Sequence, residues 1–222
     1  ASHYAHEWSH ARHQVLTNEN QRSELADFSI FTTERAAIAN ELLLQEYMLA
    51  GARTEDERLY YLGYALEQMR GTFYRQVMFS EFELAIHEAV ERGEALTGSS
   101  MTQIYGEILK RYHGHDAGVM EITDREMIEW AYIPHFYYNF YVYQYATSIA
   151  GAAYFVDRLN SGSDAARETY IKFLEAGGSD YPLEILRAAG LDMTSRAPYD
   201  AVIDRMDAVM DQIEGILKNR EG

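Results

Sequence analysis

Cysteine is absent from the chain. That excludes a disulfide framework, and it excludes the thiolate cages that usually close structural zinc sites. Proline occurs only at Pro134, Pro182 and Pro198. Because proline is expelled from helix interiors, so thin a supply leaves long helices uninterrupted. No apolar run reaches the roughly 18 residues that a membrane-spanning helix needs. Positive charge is also scarce: 19 Lys and Arg stand against 35 Asp and Glu, for a net charge of −16 and an isoelectric point near 4.8. Phosphate backbones and anionic lipid surfaces both require clustered cations, so neither nucleic acid nor a membrane is expected as a partner. With no signal-peptide pattern in view, the expected location is cytoplasmic. The first residue is Ala1 rather than Met, which is the start expected of a fragment or a processed chain.

What is present is apolar and aromatic. Residues of the hydrophobic class make up 47% of the 222, with 18 Tyr and nine Phe. A chain of this length and content supports one core, so the expected organisation is a single domain over residues 1–222. Apolar residues recur at helical spacing through most of it, and the expected fold class is all-α. The pattern predicts helices over 3–16, 28–48 and 55–91, the last bent near Gly63 or Gly71. Further helices are expected over 101–112, from Arg125 behind an Asp124 cap, over 133–159, 163–175 and 183–189, and over 198–218. The segment 133–147 is the most aromatic in the chain, with Tyr on several faces at once. His113 and His115 fall in a glycine-flanked loop and read as solvent-facing, with a site-lining role as the alternative.

The first helix carries the densest chemistry. His6, Glu7, Trp8, Ser9 and His10 form an HExxH string. Positions four apart on a helix stand one above the other, so both imidazoles can address a single point, while Glu7 sits about 100° round the axis beside it. Two neutral imidazoles with an adjacent carboxylate that does not itself ligate suit a zinc site in which Glu7 works on a water molecule. Three fixed letters also arise by chance, so the string needs a third ligand. Glu34, on the following helix, is the candidate, since an antiparallel neighbour can deliver a carboxylate to the first helix. Glu41 lies seven residues further on the same face and competes for that role, or it orients a histidine ligand by accepting from its outer ring nitrogen. A di-iron carboxylate bundle would require a second Glu-x-x-His pair beside Glu7 to His10, and none is found.

Four stretches, taken in order, resemble the oligoendopeptidase F branch of the thimet oligopeptidase family of zinc metallopeptidases. They are His6–His13, Phe28–Leu44, Ile133–Thr147 and Phe173–Met193. The resemblance covers nearly the whole chain and corresponds to the family's C-terminal, catalytic half. It implies a zinc metalloendopeptidase acting on short oligopeptides, with Zn²⁺ held by His6, His10 and Glu34 and with Glu7 as general base. It further implies that His135 and tyrosines after it line the substrate cleft, Tyr138 and Tyr141 being the chosen oxyanion donors, with Tyr143 and Tyr145 as further candidates. Tyr138 and Tyr141 are preferred because a three-residue spacing on one helical face matches the pair the family uses. An N-terminal half or a partner chain would complete the substrate channel.

The sequence departs from the family in two places near the metal. Ser9 stands where glycine is usual, and Arg35, beside Glu34, stands where an aliphatic residue is usual. These departures, with the missing half, give the alternative reading: a catalytically impaired zinc-binding helical remnant or interaction module whose aromatic wall is a binding face.

Overall fold

The computed structural model describes residues 2–221, and among them every regular element is helical. In chain order these are α1 (Ser2–Asn20), α2 (Ile30–Ala50), α3 (Glu55–Met69), α4 (Arg75–Glu91), α5 (Gly98–Tyr112), α6 (Asp124–Met127), α7 (Tyr143–Asn160), α8 (Asp164–Glu175), α9 (Pro182–Ala188) and α10 (Ala197–Glu221). Short 3-10 turns cover Ser23–Leu25, Glu129–Tyr132 and Pro134–Tyr138. A π-helical step, Arg70–Tyr74, joins α3 to α4 and contains Gly71. The fold is all-α, as composition and periodicity indicate.

Short polar side chains set the helix starts by satisfying amides that have no partner within the helix. Ser29 accepts from the Phe31 amide, Thr54 from Glu57 and Ser163 from Ala166. Thr97 and Ser100 cap α5 reciprocally. At α6 the capping residue is Thr123, and Asp124 is the first helical residue instead of the cap. All three prolines avoid helix interiors: Pro134 opens a 3-10 turn, Pro182 opens α9, and Pro198 lies in the first turn of α10.

Two further expectations are corrected. Helix α1 does not stop at Leu16; it continues through the polar Thr17–Asn20, which contains no Gly or Pro. Asn20 Nδ2 donates to the Leu16 carbonyl at 2.8 Å, and Thr17 is fully buried. The aromatic stretch is likewise not one helix from 133 to 159. After the 3-10 turn at Pro134–Tyr138, Asn139 and Phe140 both adopt left-handed backbone, with φ of 52° and 60°, and α7 begins only at Tyr143. For residues other than glycine that conformation costs about 1–2 kcal/mol each, so something else must hold it.

The backbone divides into two compact units, Ala1–Phe73 with Thr147–Gly222, and Tyr74–Ala146. In the first, α1 packs along α2, α3 along α10, and α1 also meets α8. Small buried residues, Ala36, Ala37 and Ala39 on α2 and Ala150, Ala152 and Ala153 on α7, let backbones approach closely. Ser9 Oγ donates to the Ala36 carbonyl at 2.9 Å and Asn40 Nδ2 to the Ala5 carbonyl at 2.7 Å, fixing α1 on α2. At the far end of α1, Thr17 Oγ1 donates to the Leu174 carbonyl at 3.0 Å and Gln21 Nε2 to the Glu175 carbonyl at 2.9 Å. In the second unit, Met78, Phe79 and Phe82 of α4 close on Tyr105, Ile108 and Leu109 of α5, with Ile122 and Val142. Glu129 there accepts both the Tyr105 hydroxyl and the Arg75 guanidinium.

Candidate metal centre

The Ser9 and Asn40 contacts fix α1 against α2 where the ligand candidates face one another. His6 and His10 stand one turn apart on α1, with their Nε2 atoms 3.1 Å from each other. From α2, Glu34 brings Oε2 to 3.6 Å from His6 Nε2 and Oε1 to 3.8 Å from His10 Nε2. The ligand atoms of these three residues all lie within 4.8 Å of one another. Ligands about 2.0–2.2 Å from a tetrahedral Zn²⁺ stand roughly 3.3–3.6 Å apart, so the 3.1–3.8 Å spacings suit that ion. The donor chemistry fits as well, two imidazoles and a carboxylate being a ligand set of catalytic zinc.

The outer ring nitrogens are occupied, which leaves the Nε2 atoms to face each other. His6 Nδ1 lies 2.9 Å from Glu41 Oε1, and His10 Nδ1 lies 3.1 Å from Thr33 Oγ1. Glu41 thus sits behind a ligand candidate, not among the facing atoms. Its other oxygen accepts from Gln68 Nε2, and Gln68 in turn accepts from Gln45 Nε2 at 3.4 Å. The hydrogen bond to Glu41 holds the His6 imidazole above the ordinary histidine range; burial pulls the other way, and the charges of Glu41, Glu34 and Glu7 add to the rise.

Glu7 projects from α1 beside the pair, largely exposed, with Oε1 3.8 Å from His3 Nε2. A carboxylate so placed is open to water. The two sequence departures find local partners. Ser9 spends its hydroxyl on α2, as described, and Arg35 is wholly buried with its guanidinium 3.9 Å from the Phe31 ring centroid. Gly151 makes room for it, since a Cβ there would fall 2.7 Å from Arg35 Nε. Neither departure displaces a ligand candidate. His13, one turn beyond His10, is buried and stacks on Phe28 at 4.3 Å.

The remaining site candidates lie in the second unit and gather there. His135, Tyr138 and Tyr141 form a triangle with every pair of ring centroids 6.0 Å apart. Tyr145 joins it, 6.0 Å from His135, with its hydroxyl 3.5 Å from that of Tyr141. Tyr138 and Tyr141 meet across the left-handed turn, not along one helical face. Tyr143, at the start of α7, is exposed. His113 and His115 serve the loop itself: His113 Nδ1 contacts the Leu109 carbonyl, and His115 Nδ1 accepts the Ile122 amide at 3.0 Å.

Two residues behind the metal group escape a reading from sequence. Thr33 carries one usable signal, its place immediately before Glu34 on the helix that faces α1. Gln68 carries none, because it reaches Glu41 from α3, 27 positions away.

Among the described residues no helix is long and apolar enough to cross a membrane. Residues 1–205 match the model of Peptidase family M3. Oligopeptidase PepF of Bacillus subtilis is 41% identical over 213 residues, which are 96% of this chain and 31% of that protein. The plasmid-borne oligoendopeptidase F of Lactococcus lactis subsp. cremoris is 40% identical over 214 residues, 96% of this chain and 35% of its own length. The crystal structure of oligoendopeptidase-F from Enterococcus faecium superposes with a TM-score of 0.86 at 32% identity, covering 98% of this chain and 39% of that one. The chain therefore spans about a third of the length of these relatives. By family model, by sequence and by fold, it belongs to peptidase family M3, in the oligoendopeptidase F branch.

Proposed function

We propose that the chain carries the catalytic centre of a zinc-dependent endopeptidase that hydrolyses peptide bonds in short oligopeptides. The observation that carries this reading is the convergence of His6, His10 and Glu34, whose ligand atoms face a common point while Glu41 and Thr33 hold the histidines from behind. A zinc ion bound there would supply Lewis acidity to water and to the scissile carbonyl. Glu7 takes the proton of the attacking water and then hands it to the departing amine, a shuttle that its exposed position on α1 allows. Glu41 keeps His6 oriented with its Nε2 lone pair outward, and Thr33 does the same for His10. To His135, Tyr138 and Tyr141 we assign the stabilisation of the oxyanion formed on attack, which phenol and imidazole donors suit chemically. Support for that assignment is the mutual packing of the three rings together with the family membership.

Glu7→Gln tests the reading. The amide cannot accept the proton, but Glu7 is not among the facing ligand atoms. The variant should hold zinc as the parent does while turnover of a quenched fluorescent peptide falls by roughly 10²–10⁴-fold. Turnover equal to the parent's would sink the assignment. Zinc binding by a parent that cleaves no peptide would favour the remnant reading instead.

A further inference from the structure

Asn139 and Phe140 are, among the described residues, the only two other than glycine with positive φ, and they are consecutive. Asparagine tolerates that backbone; phenylalanine has no side-chain polar group to compensate for it. The pair sits in the middle of the stretch that carries His135, Tyr138 and Tyr141. Its geometric effect is large. On an uninterrupted helix His135 and Tyr141, six positions apart, would point about 120° away from each other and stand about 9 Å apart along the axis. The turn instead folds the chain back, so that these two rings lie nearly parallel, 15° between planes, with Tyr138 edge-on to both.

What holds the turn comes from α4. Glu83 is fully buried, and its Oε1 accepts the Phe140 amide at 2.6 Å. His87, one turn further along α4, lays its ring against that of Phe140 with centroids 4.4 Å apart. One helix thus grips both the backbone and the side chain of the strained residue. The grip is costly: burial pushes the Glu83 carboxyl above the ordinary range, while the Phe140 amide and His87 pull it back. Among the described residues Glu83 Oε2 has no hydrogen-bond partner. The neighbouring buried positions on α4, Phe79 and Phe82, are plain hydrocarbon. A carboxylate in their midst is explained by the amide it accepts from.

We infer that Glu83 is a positioning residue, whose bond to the Phe140 amide fixes the left-handed turn and thereby sets His135, Tyr138 and Tyr141 in one cluster for turnover. The second half of that statement rests on the role proposed above for the cluster; the clamp itself does not. Glu83→Gln keeps a carbonyl oxygen for the amide, whereas Glu83→Leu removes the acceptor and keeps the bulk. In the complete polypeptide as encoded, amide hydrogen exchange over residues 134–146 should be as slow in Glu83→Gln as in the parent. It should be at least tenfold faster in Glu83→Leu, with exchange in α5 unchanged. With a quenched peptide, Glu83→Leu should lose tenfold or more in kcat with little change in KM or in zinc content, and Glu83→Gln should stay within about threefold. Should the Leu variant fail to accumulate, Glu83→Asp withdraws the carboxylate by one methylene and gives the same pair of readings.

Unchanged exchange over 134–146 in both the Leu and the Asp variants overturns the clamp, as does exchange that quickens equally throughout α4 and α5. Faster exchange with kcat intact overturns the positioning role, and with it the assignment of the oxyanion to this cluster. A parent that cleaves no peptide yet shows the exchange difference refutes the peptidase reading and leaves the clamp standing.

Discussion

Acidification should weaken the first unit through a single buried imidazole. His13 is 2% exposed on α1, its ring flat against Phe28 and 5.8 Å from Phe173, and among the described residues its Nδ1 has no hydrogen-bond partner. Burial first, and the neighbouring His10 second, push its pKa from 6.5 down to about 4. As pH falls the unfolded chain takes up this proton before the folded one does. The stability it secures is therefore complete above pH 6.5, drains away between 6.5 and about 4, and falls no further below that. At about 1.4 kcal/mol per tenfold, the gap amounts to roughly 3 kcal/mol. His6 works with the opposite sign, because its raised pKa stabilises the fold at low pH and that contribution is lost as pH rises through the folded value. The measurement is therefore differential. His13→Phe keeps the aromatic stack and removes the titration, and most other groups cancel between variant and parent. Denaturant unfolding of both proteins, followed by far-ultraviolet circular dichroism near pH 7 and near pH 4, should show the parent losing roughly 3 kcal/mol relative to the variant. A difference constant with pH to about 0.5 kcal/mol would refute the account of His13.

Glu41→Gln should weaken zinc binding by about 10–100-fold, measured by competition with a chromophoric chelator, because the amide is a poorer acceptor behind His6. Unchanged affinity would remove Glu41 from the metal's support. Gly177→Ala should destabilise the protein by about 2–4 kcal/mol, read as a drop in thermal midpoint. Its φ is +53°, and a Cβ would fall 2.5 Å from the rigid Leu25 carbonyl oxygen and 2.7 Å from Thr17 Cγ2. A midpoint within a degree of the parent's would mean that the 23–27 segment yields more readily than its contacts imply.

Legibility from sequence is greatest where geometry follows helical arithmetic. His6 and His10 are four apart and Glu34 lies on the next helix, so their meeting needs only two helices packed side by side. It is weaker at the helix starts: the one cap expected from sequence, Asp124, is the first residue of α6 behind Thr123, and α5 begins at Gly98 behind Thr97, three residues before the expected Met101. It stops where a conformation is imposed from far along the chain. Nothing in Phe140 announces left-handed backbone; the cause is Glu83, 57 positions earlier and buried. The choice between ligand and orienting roles for Glu41 was equally illegible, because Glu34 and Glu41 share a helical face. In the folded chain Glu41 lies on the outer nitrogen of His6. The polar run Thr17–Asn20 reads as a loop because it has no apolar residue; only Thr17 in it is buried, and its bond to the Leu174 carbonyl reaches 157 positions along the chain.

That last contact bears on the order in which the chain is assembled during synthesis. The candidate ligands all fall within the first 34 residues, so the α1–α2 hairpin closes on local chain and has its full ligand set early. The carbonyls that receive Thr17 and Gln21, at Leu174 and Glu175, emerge later by more than 150 residues, a delay of roughly 8–30 s at translation rates of about 5–20 residues per second. Throughout that interval the α1–α2 hairpin that carries the candidate ligands exists without its buttress, and the segment from Thr17 to Asp27 is its open edge.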